Sequence, residues 1–238
     1  MSRIYGSQLS TLWSAFVFFA GEIMFSKLFK KKQPEVRQLN HPRDLNVGDM
    51  IQLIDSFAFP PELKGQTLRV AAVNTYQYKY ENEFELVLKG EGKQTIFLVV
   101  ENDDGQEWAN FSIKVERQDV EDLFGLDQFA DIFDLDELVS IKRLNDVKAF
   151  ERWTTKTYTQ SAQPSTGYFY EQDYRSKTIP EFVEDGGEPV ECINLADPDD
   201  SFSVNIEIWD DGQTDVSLTL SRPLSDIVDL FPGDASSG

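Results

Sequence analysis

Apolar and polar residues alternate in steps of two along much of this chain, the period of a strand with one face in a core. After the turn Asn46-Val47-Gly48-Asp49, the stretch 50–54 opens the series, and Pro60-Pro61 marks 57–65 as a loop. Leu68, Val70 and Ala72 fall on one face of the stretch 67–80, and Tyr76, Tyr78 and Tyr80 share a face further along. Phe84, Leu86 and Leu88 follow Glu81-Asn82, and Gly90-Glu91-Gly92 leads into 96–100. Strands joined by turns this short predict an antiparallel meander.

One arrangement occurs twice. Asp103-Asp104-Gly105-Gln106 separates an alternating run that starts at Phe97 from Phe111, Ile113 and Val115. Asp210-Asp211-Gly212-Gln213 separates Val204, Ile206 and Ile208 from Val216, Leu218 and Leu220. Leu123-Phe124 and Leu230-Phe231 follow, and both the tetrads and these pairs are 107 positions apart. Asp-Gly between alternating runs supplies the positive φ of a tight hairpin. Val120, Leu123 and Phe124, matched by Ile227, Leu230 and Phe231, predict a short acidic helix after each hairpin, the second opened by Pro223. A shared tetrapeptide arises readily by chance; the frame around it points to an internal duplication.

Between the copies the period changes. Leu126, Phe129, Ala130 and Phe133 recur at helical spacing, as do Leu135, Leu138 and Val139, and Leu144, Val147 and Phe150. They predict one or two connecting helices with a polar side of Asp127, Asp131, Asp134, Asp136 and Glu137. Strand signals return at 154–159, 167–170, 190–195, 202–209 and 214–221. The fold class expected is α+β, mainly β: two antiparallel-sheet modules, each ending in a hairpin plus a short helix. The boundaries are 1–44 for an apolar and basic segment with linker, 45–125 for the first module, 126–152 for the connecting helices, 153–232 for the second module and 233–238 for a tail. The helix after Arg117 is the nearest cover for the first sheet.

Charge narrows the partners. The chain of 238 residues carries a formal net charge of −20, which opposes nucleic acid and anionic membrane and suits a basic partner. With one cysteine, Cys192, and one histidine, His41, no intrachain disulfide, Cys-rich zinc site or two-histidine mechanism is available. The first 32 residues admit three readings: an apolar anchor across 12–25, a cleaved signal, or upstream sequence ahead of a start at Met24. For an anchor, Lys27, Lys30, Lys31 and Lys32 would keep the body cytoplasmic, so membrane contact is confined to residues 9–32.

Most motifs with chemistry fail on inspection. Gly90-Glu91-Gly92-Lys93-Gln94-Thr95 lacks the first glycine of a phosphate loop and follows its lysine with Gln94. A calcium loop around Gly105 would need Val100 and Phe111 as ligands, and one around Gly212 would end on Leu218. Asp197, Asp199 and Asp200 remain a weak calcium candidate. No nucleophile motif occurs and no carboxylate pair stands out, so no catalytic, metal or cofactor residue is assigned. The most suggestive cluster is Trp153, Tyr158, Tyr168, Tyr170, Tyr174 and Arg175, the residue types of interface hot spots and equally of cross-strand aromatic pairs.

The lysine-rich start at 24–32, Asn46-Val47-Gly48-Asp49, the run from Gly167 to Asp173-Tyr174-Arg175 and the Asp-Asp-Gly turns together resemble an uncharacterised class of bacterial β-rich proteins, over residues 24–232. Some members are encoded near membrane-stress proteins of the phage-shock type. The resemblance implies bacterial origin and a cytoplasmic accessory role, with no catalytic residues to carry over. The expectation is a non-enzymatic accessory protein that binds a basic or membrane-associated protein partner. The alternative is a carboxylate-dependent enzyme acting on a sugar or a cationic small molecule.

Overall fold

The computed structural model describes residues 37–133, 138–180 and 186–233. The readings made on 9–32, on Leu135 and on the end of the tail lie outside them. Strands in the first half are β1 (Met50–Leu53), β2 (Thr67–Tyr78), β3 (Asn82–Lys89), β4 (Thr95–Asp103) and β5 (Gln106–Val115). After the helices come β6 (Ser140–Lys142), β7 (Thr157–Gln160), β8 (Ser165–Tyr170), β9 (Glu188–Ala196), β10 (Phe202–Trp209), β11 (Thr214–Pro223) and β12 (Ile227–Phe231). All belong to one antiparallel sheet. Eight strands close on themselves in the order β2-β3-β4-β5-β11-β10-β9-β8, and β8 pairs back onto β2. Closure into a barrel satisfies both edges of each strand where it pairs. Outside the barrel, β1 pairs the start of β2 and carries β12, while β7 pairs the end of β9 and carries β6.

The barrel is built with its apolar face outward. Leu86 and Leu88, Ile96 and Leu98, Phe111 and Ile113, Val204 and Ile206, Leu218 and Leu220, and Ile193 and Leu195 are all buried in one cluster. Leu45, Phe59, Leu63 and Trp153 join it from the loops, and Ile51 and Leu53 from β1. The helix Arg117–Phe124 adds Val120, Leu123 and Phe124, so it covers the sheet as its spacing implies. Asp119 starts this helix by accepting the Glu116 N–H at 3.0 Å. Gly125, at φ +71°, ends it. The alternate residues of the same strands face the space enclosed by the barrel.

Four expectations change. Pro223 closes β11, Leu224–Asp226 makes a single 3-10 turn, and Ile227–Phe231 is a strand. No second α-helix forms there, because the edge of β1 offers backbone partners to β-branched Ile227 and Val228. Among the described residues the connecting helices shrink to Leu126–Ala130 and the 3-10 turns Asp131–Phe133 and Lys148–Phe150, and Ser140–Lys142 pairs β7 as β6. A bulge between Val70 and Ala72 sends Ala72 to the lumen and Val73 to the apolar face. Finally, the two expected modules share one sheet, since β5 pairs β11 from Val115↔Val216 to Trp108↔Pro223.

The repeated tetrads sit in hairpins of different geometry. Asp104 and Gly105, at φ +48° and +85°, form a two-residue turn between β4 and β5. In the second copy four residues separate β10 from β11, and Gly212 alone takes positive φ, +82°. The difference has a consequence for facing. At the 107-residue offset Phe111 and Leu218 both look outward, but Phe97 looks into the lumen where Val204 looks out. A slip of one residue exchanges every side chain between faces.

Candidate functional site

Small barrels are normally filled by their interior side chains. This one is lined with short polar groups that leave room. Ser112 on β5 and Thr219 on β11 face each other with their hydroxyls 2.7 Å apart. Asn205 Nδ2 donates to Thr219 Oγ1 at 2.8 Å, and Asn194 Nδ2 donates to Asn205 Oδ1. Ser203 and Ser217 extend the same wall. The enclosed space has a volume of about 840 Å³ at one end and 660 Å³ at the other. Tyr76, Glu85 and Lys114 line both ends, so they mark the waist.

A charge network holds the waist. The Tyr76 hydroxyl donates to Glu207 Oε1 at 2.5 Å. Lys114 Nζ donates to Glu207 Oε2 at 3.2 Å and to Asp215 Oδ2 at 2.6 Å, and lies 5.6 Å from the Phe97 ring and 5.8 Å from the Trp209 ring. Burial works against the Lys114 ammonium, but Glu207 and Asp215 hold its pKa above the ordinary lysine value. Burial, with Glu85 and Glu207 beside it, pushes the Tyr76 phenol far up, so it stays a donor. Phe169 closes against Tyr76 and Trp209 at ring distances of 5.0 and 5.4 Å.

Acids dominate the larger end. Its lining carries Glu81, Glu83, Glu85, Glu101, Asp103, Asp199, Asp200 and Glu207 against Lys79 and Lys114. The β3–β4 pairing ends at Glu85↔Val99, and beyond it Glu83 lies within reach of the Glu101 charge. Like charges opposite each other on a sheet repel. Desolvation first, then the nearby Glu85, Glu101, Glu81 and Glu207, push the Glu83 carboxyl up to about 7. Glu85 is pushed to about 7 by burial and by Glu207, against a hydrogen bond from Asn74 Nδ2 at 2.8 Å and the Lys114 charge. Asn110 Nδ2 donates to Glu101 Oε2 at 2.9 Å, and its buried Oδ1 has no partner. Burial raises the Cys192 thiol, 3.4 Å from the Tyr78 hydroxyl, to about 12, which keeps it an unreactive wall group.

The aromatic cluster singled out from sequence is divided. Trp153 and Tyr158 are fully buried in the apolar cluster, where Trp153 Nε1 donates to Glu62 and Tyr158 meets Phe124 edge-on at 5.8 Å. Tyr170 is buried against Tyr174 at 5.2 Å, and Tyr168 is half-buried on the same strand. Arg175 makes a forked pair with Asp173 at 2.9 and 2.7 Å and donates to the Arg43 carbonyl at 2.8 Å. The six residues therefore share no open face: two fill the core and Arg175 ties the linker to the barrel.

Asp197, from the calcium candidate, accepts the Ser201 and Phe202 N–H groups at 2.7 and 2.9 Å and so closes its own turn. Among the described residues, no group of three or more His, Cys, Asp and Glu side chains is arranged for a metal ion. Among them too, no helix is long and apolar enough to cross a membrane.

Sequence reasoning missed the lumen. Its wall residues Asn194, Ser203, Asn205, Ser112, Ser217 and Thr219 read as the solvent side of strands. The available signal was their type: small uncharged side chains where an open face would favour long charged ones. No family model, curated protein or solved structure matches the chain.

Proposed function

We propose that the chain is a binding protein whose barrel lumen receives a ligand bearing a cationic nitrogen, and that it performs no chemistry on it. The observation that carries this reading is the lining of the larger end, an 840 Å³ space where eight carboxylates outnumber two lysines; Glu83, Glu85 and Glu207 are half-buried and the other five are exposed. A cleft with an excess of one charge concentrates ligands of the other. The short Ser, Thr and Asn side chains supply hydrogen bonds that would orient a polar ligand. Catalysis is less favoured. Glu83 and Glu85 are displaced in the same direction to about 7, so they are not divided into an acid and a base.

The ligand is a small amine or, as a second form, a lysine or arginine side chain of a basic protein partner, which the net charge of −20 favours. An accessory role beside a membrane-associated complex belongs to this second form and rests on the lysine-rich stretch 27–32. The test is isothermal titration of the full chain with 1,4-diaminobutane, with glucose and citrate as controls at matched ionic strength. Saturable one-to-one binding of the diamine alone, lost in Ser203→Trp, supports the reading. Equal heats for all three, or binding untouched by Ser203→Trp, would overturn it.

The duplication expected from sequence also stays a proposal. Its support is that β3-β4-β5 meets β11-β10-β9 across the β5–β11 pair, with Ser112 and Thr219, 107 positions apart, facing each other. At the same offset strand β12 falls on the end of the helix Arg117–Phe124, so the correspondence stops at the hairpins. The one-residue slip between β4 and β10 is what such an ancestry has to accommodate.

A further inference from the structure

We propose that the ligand is an amino sugar, whose hydroxyls meet the neutral wall formed by β9, β10, β11 and β5 while its ammonium group lies toward the carboxylates. This rests on the lumen-binding reading above and goes beyond it by naming the class of ligand and the wall that recognises its body.

Three observations carry it. First, the neutral wall is a continuous run of hydrogen-bonding groups. The pairings Asn194↔Asn205 and Asn205↔Ser217 set one row of it, and Ser203↔Thr219 and Thr219↔Ser112 set the next. Asn194 donates to Asn205, Asn205 Nδ2 donates to Thr219 at 2.8 Å, and the Thr219 and Ser112 hydroxyls meet at 2.7 Å. Second, one group in this run is left open. Ser217 is 9% exposed and lines the lumen, and among the described residues its hydroxyl has no hydrogen-bond partner. An alkyl chain filling the lumen would strip water from that hydroxyl and return nothing. A ligand hydroxyl, which both donates and accepts, replaces the water. Third, the two kinds of wall stand opposite each other. In the closed order β2-β3-β4-β5-β11-β10-β9-β8, β10 is four places from β3, the far side of the ring. Ser203 and Asn205 on β10 therefore lie across the larger end from the strand that carries Glu83 and Glu85.

A sugar ring carries hydroxyls around its rim and C–H groups on its faces. The rim matches Ser203, Ser217 and Asn194, and the faces match the apolar surface of Tyr78 and Trp108 in the same lining. The volume of about 840 Å³ falls within the range of about 300–1,000 Å³ common to small-molecule sites. A simple diamine satisfies the acids alone and a neutral sugar the wall alone; an amino sugar satisfies both.

The experiment is isothermal titration of the full wild-type chain with 6-amino-6-deoxyglucose, 1,4-diaminobutane and glucose at one pH and ionic strength. The amino sugar is expected to bind about fivefold more tightly than the diamine, although it carries one charge fewer, and glucose more weakly than either. Ser217→Ala should weaken the amino sugar about three- to tenfold more than it weakens the diamine, and its circular dichroism and melting curve establish that it folds. A diamine that binds as tightly as the amino sugar, or an equal weakening of both by Ser217→Ala, overturns the amino-sugar assignment and leaves the lumen reading standing. Glucose binding as tightly as the amino sugar, or no binding of any of the three, overturns both. The wild-type comparison decides the matter even if the variant fails to fold.

Discussion

Replacing Glu83 and Glu85 by glutamine should stabilise the empty protein, by an amount that grows as pH rises from about 4.5 to about 7. Held at about 7 against an ordinary 4.5, each carboxyl binds its proton more tightly in the folded chain than in the unfolded one. Between these values the folded state carries more protons, so this contribution to stability falls as pH rises from about 4.5 to about 7 and is level beyond. At about 1.36 kcal/mol per pH unit, the full displacement would amount to roughly 3 kcal/mol per residue. Both side chains are half-buried and water reaches the lumen, so screening reduces this to about 1–2 kcal/mol each. Their titrations are coupled, which makes the pair the right unit to replace. Glutamine keeps the volume and the oxygen that accepts from Asn74, but it cannot ionise. Urea unfolding followed by tryptophan fluorescence at pH 5, 6, 7 and 8 is the assay. The double variant should exceed the parent by about 2–3 kcal/mol at pH 8 and match it within about 0.5 kcal/mol at pH 5. Taking the difference at each pH removes the background of the other carboxylates. A difference that does not change with pH refutes the reasoning, because it would mean that the lumen does not raise these groups.

The inverted barrel makes neighbouring residues behave differently. Phe111→Ala, which empties a fully buried site edge-on to Phe59, should cost about 3–5 kcal/mol, while lumen-facing Ser112→Ala should cost under about 1 kcal/mol; chemical denaturation of both variants measures the contrast. Gly105→Ala forces a side chain to φ +85° in the two-residue turn and should cost about 1–2 kcal/mol, a loss visible as a lower melting temperature. Arg175→Ala removes the forked partner whose hydrogen bonds hold Asp173 below the usual carboxylate range. The variant should lose about 1 kcal/mol at pH 7, and the loss should shrink as acid protonates Asp173, as acid titration of the melting temperature would reveal.

Local pattern sufficed for the strands and for most turns. Period-two alternation located β2 through β5 and β9 through β11 to within a few residues, because alternation records which face is buried whatever lies beyond it. Asp104-Gly105 announced its hairpin through the one backbone conformation that glycine tolerates best. What alternation cannot express is which way a sheet curves. A hairpin with Leu88 and Leu98 on one face and Glu85 and Val99 on the other reads the same whether its second face meets bulk water or the inside of a barrel. Closure depended on β8 bridging β2 and β9, a contact between residues about 95 positions apart such as Thr75 and Tyr170. The last segment shows the same limit. Ile227, Leu230 and Phe231 have helical spacing, and only the open edge of β1, near the other end of the chain, made them a strand. The sequence by itself determined which residues would alternate, turn and seek burial, since those are properties of neighbours. Tertiary structure alone decided that the polar faces would enclose a space, because enclosure is a relation among eight strands that no short stretch contains.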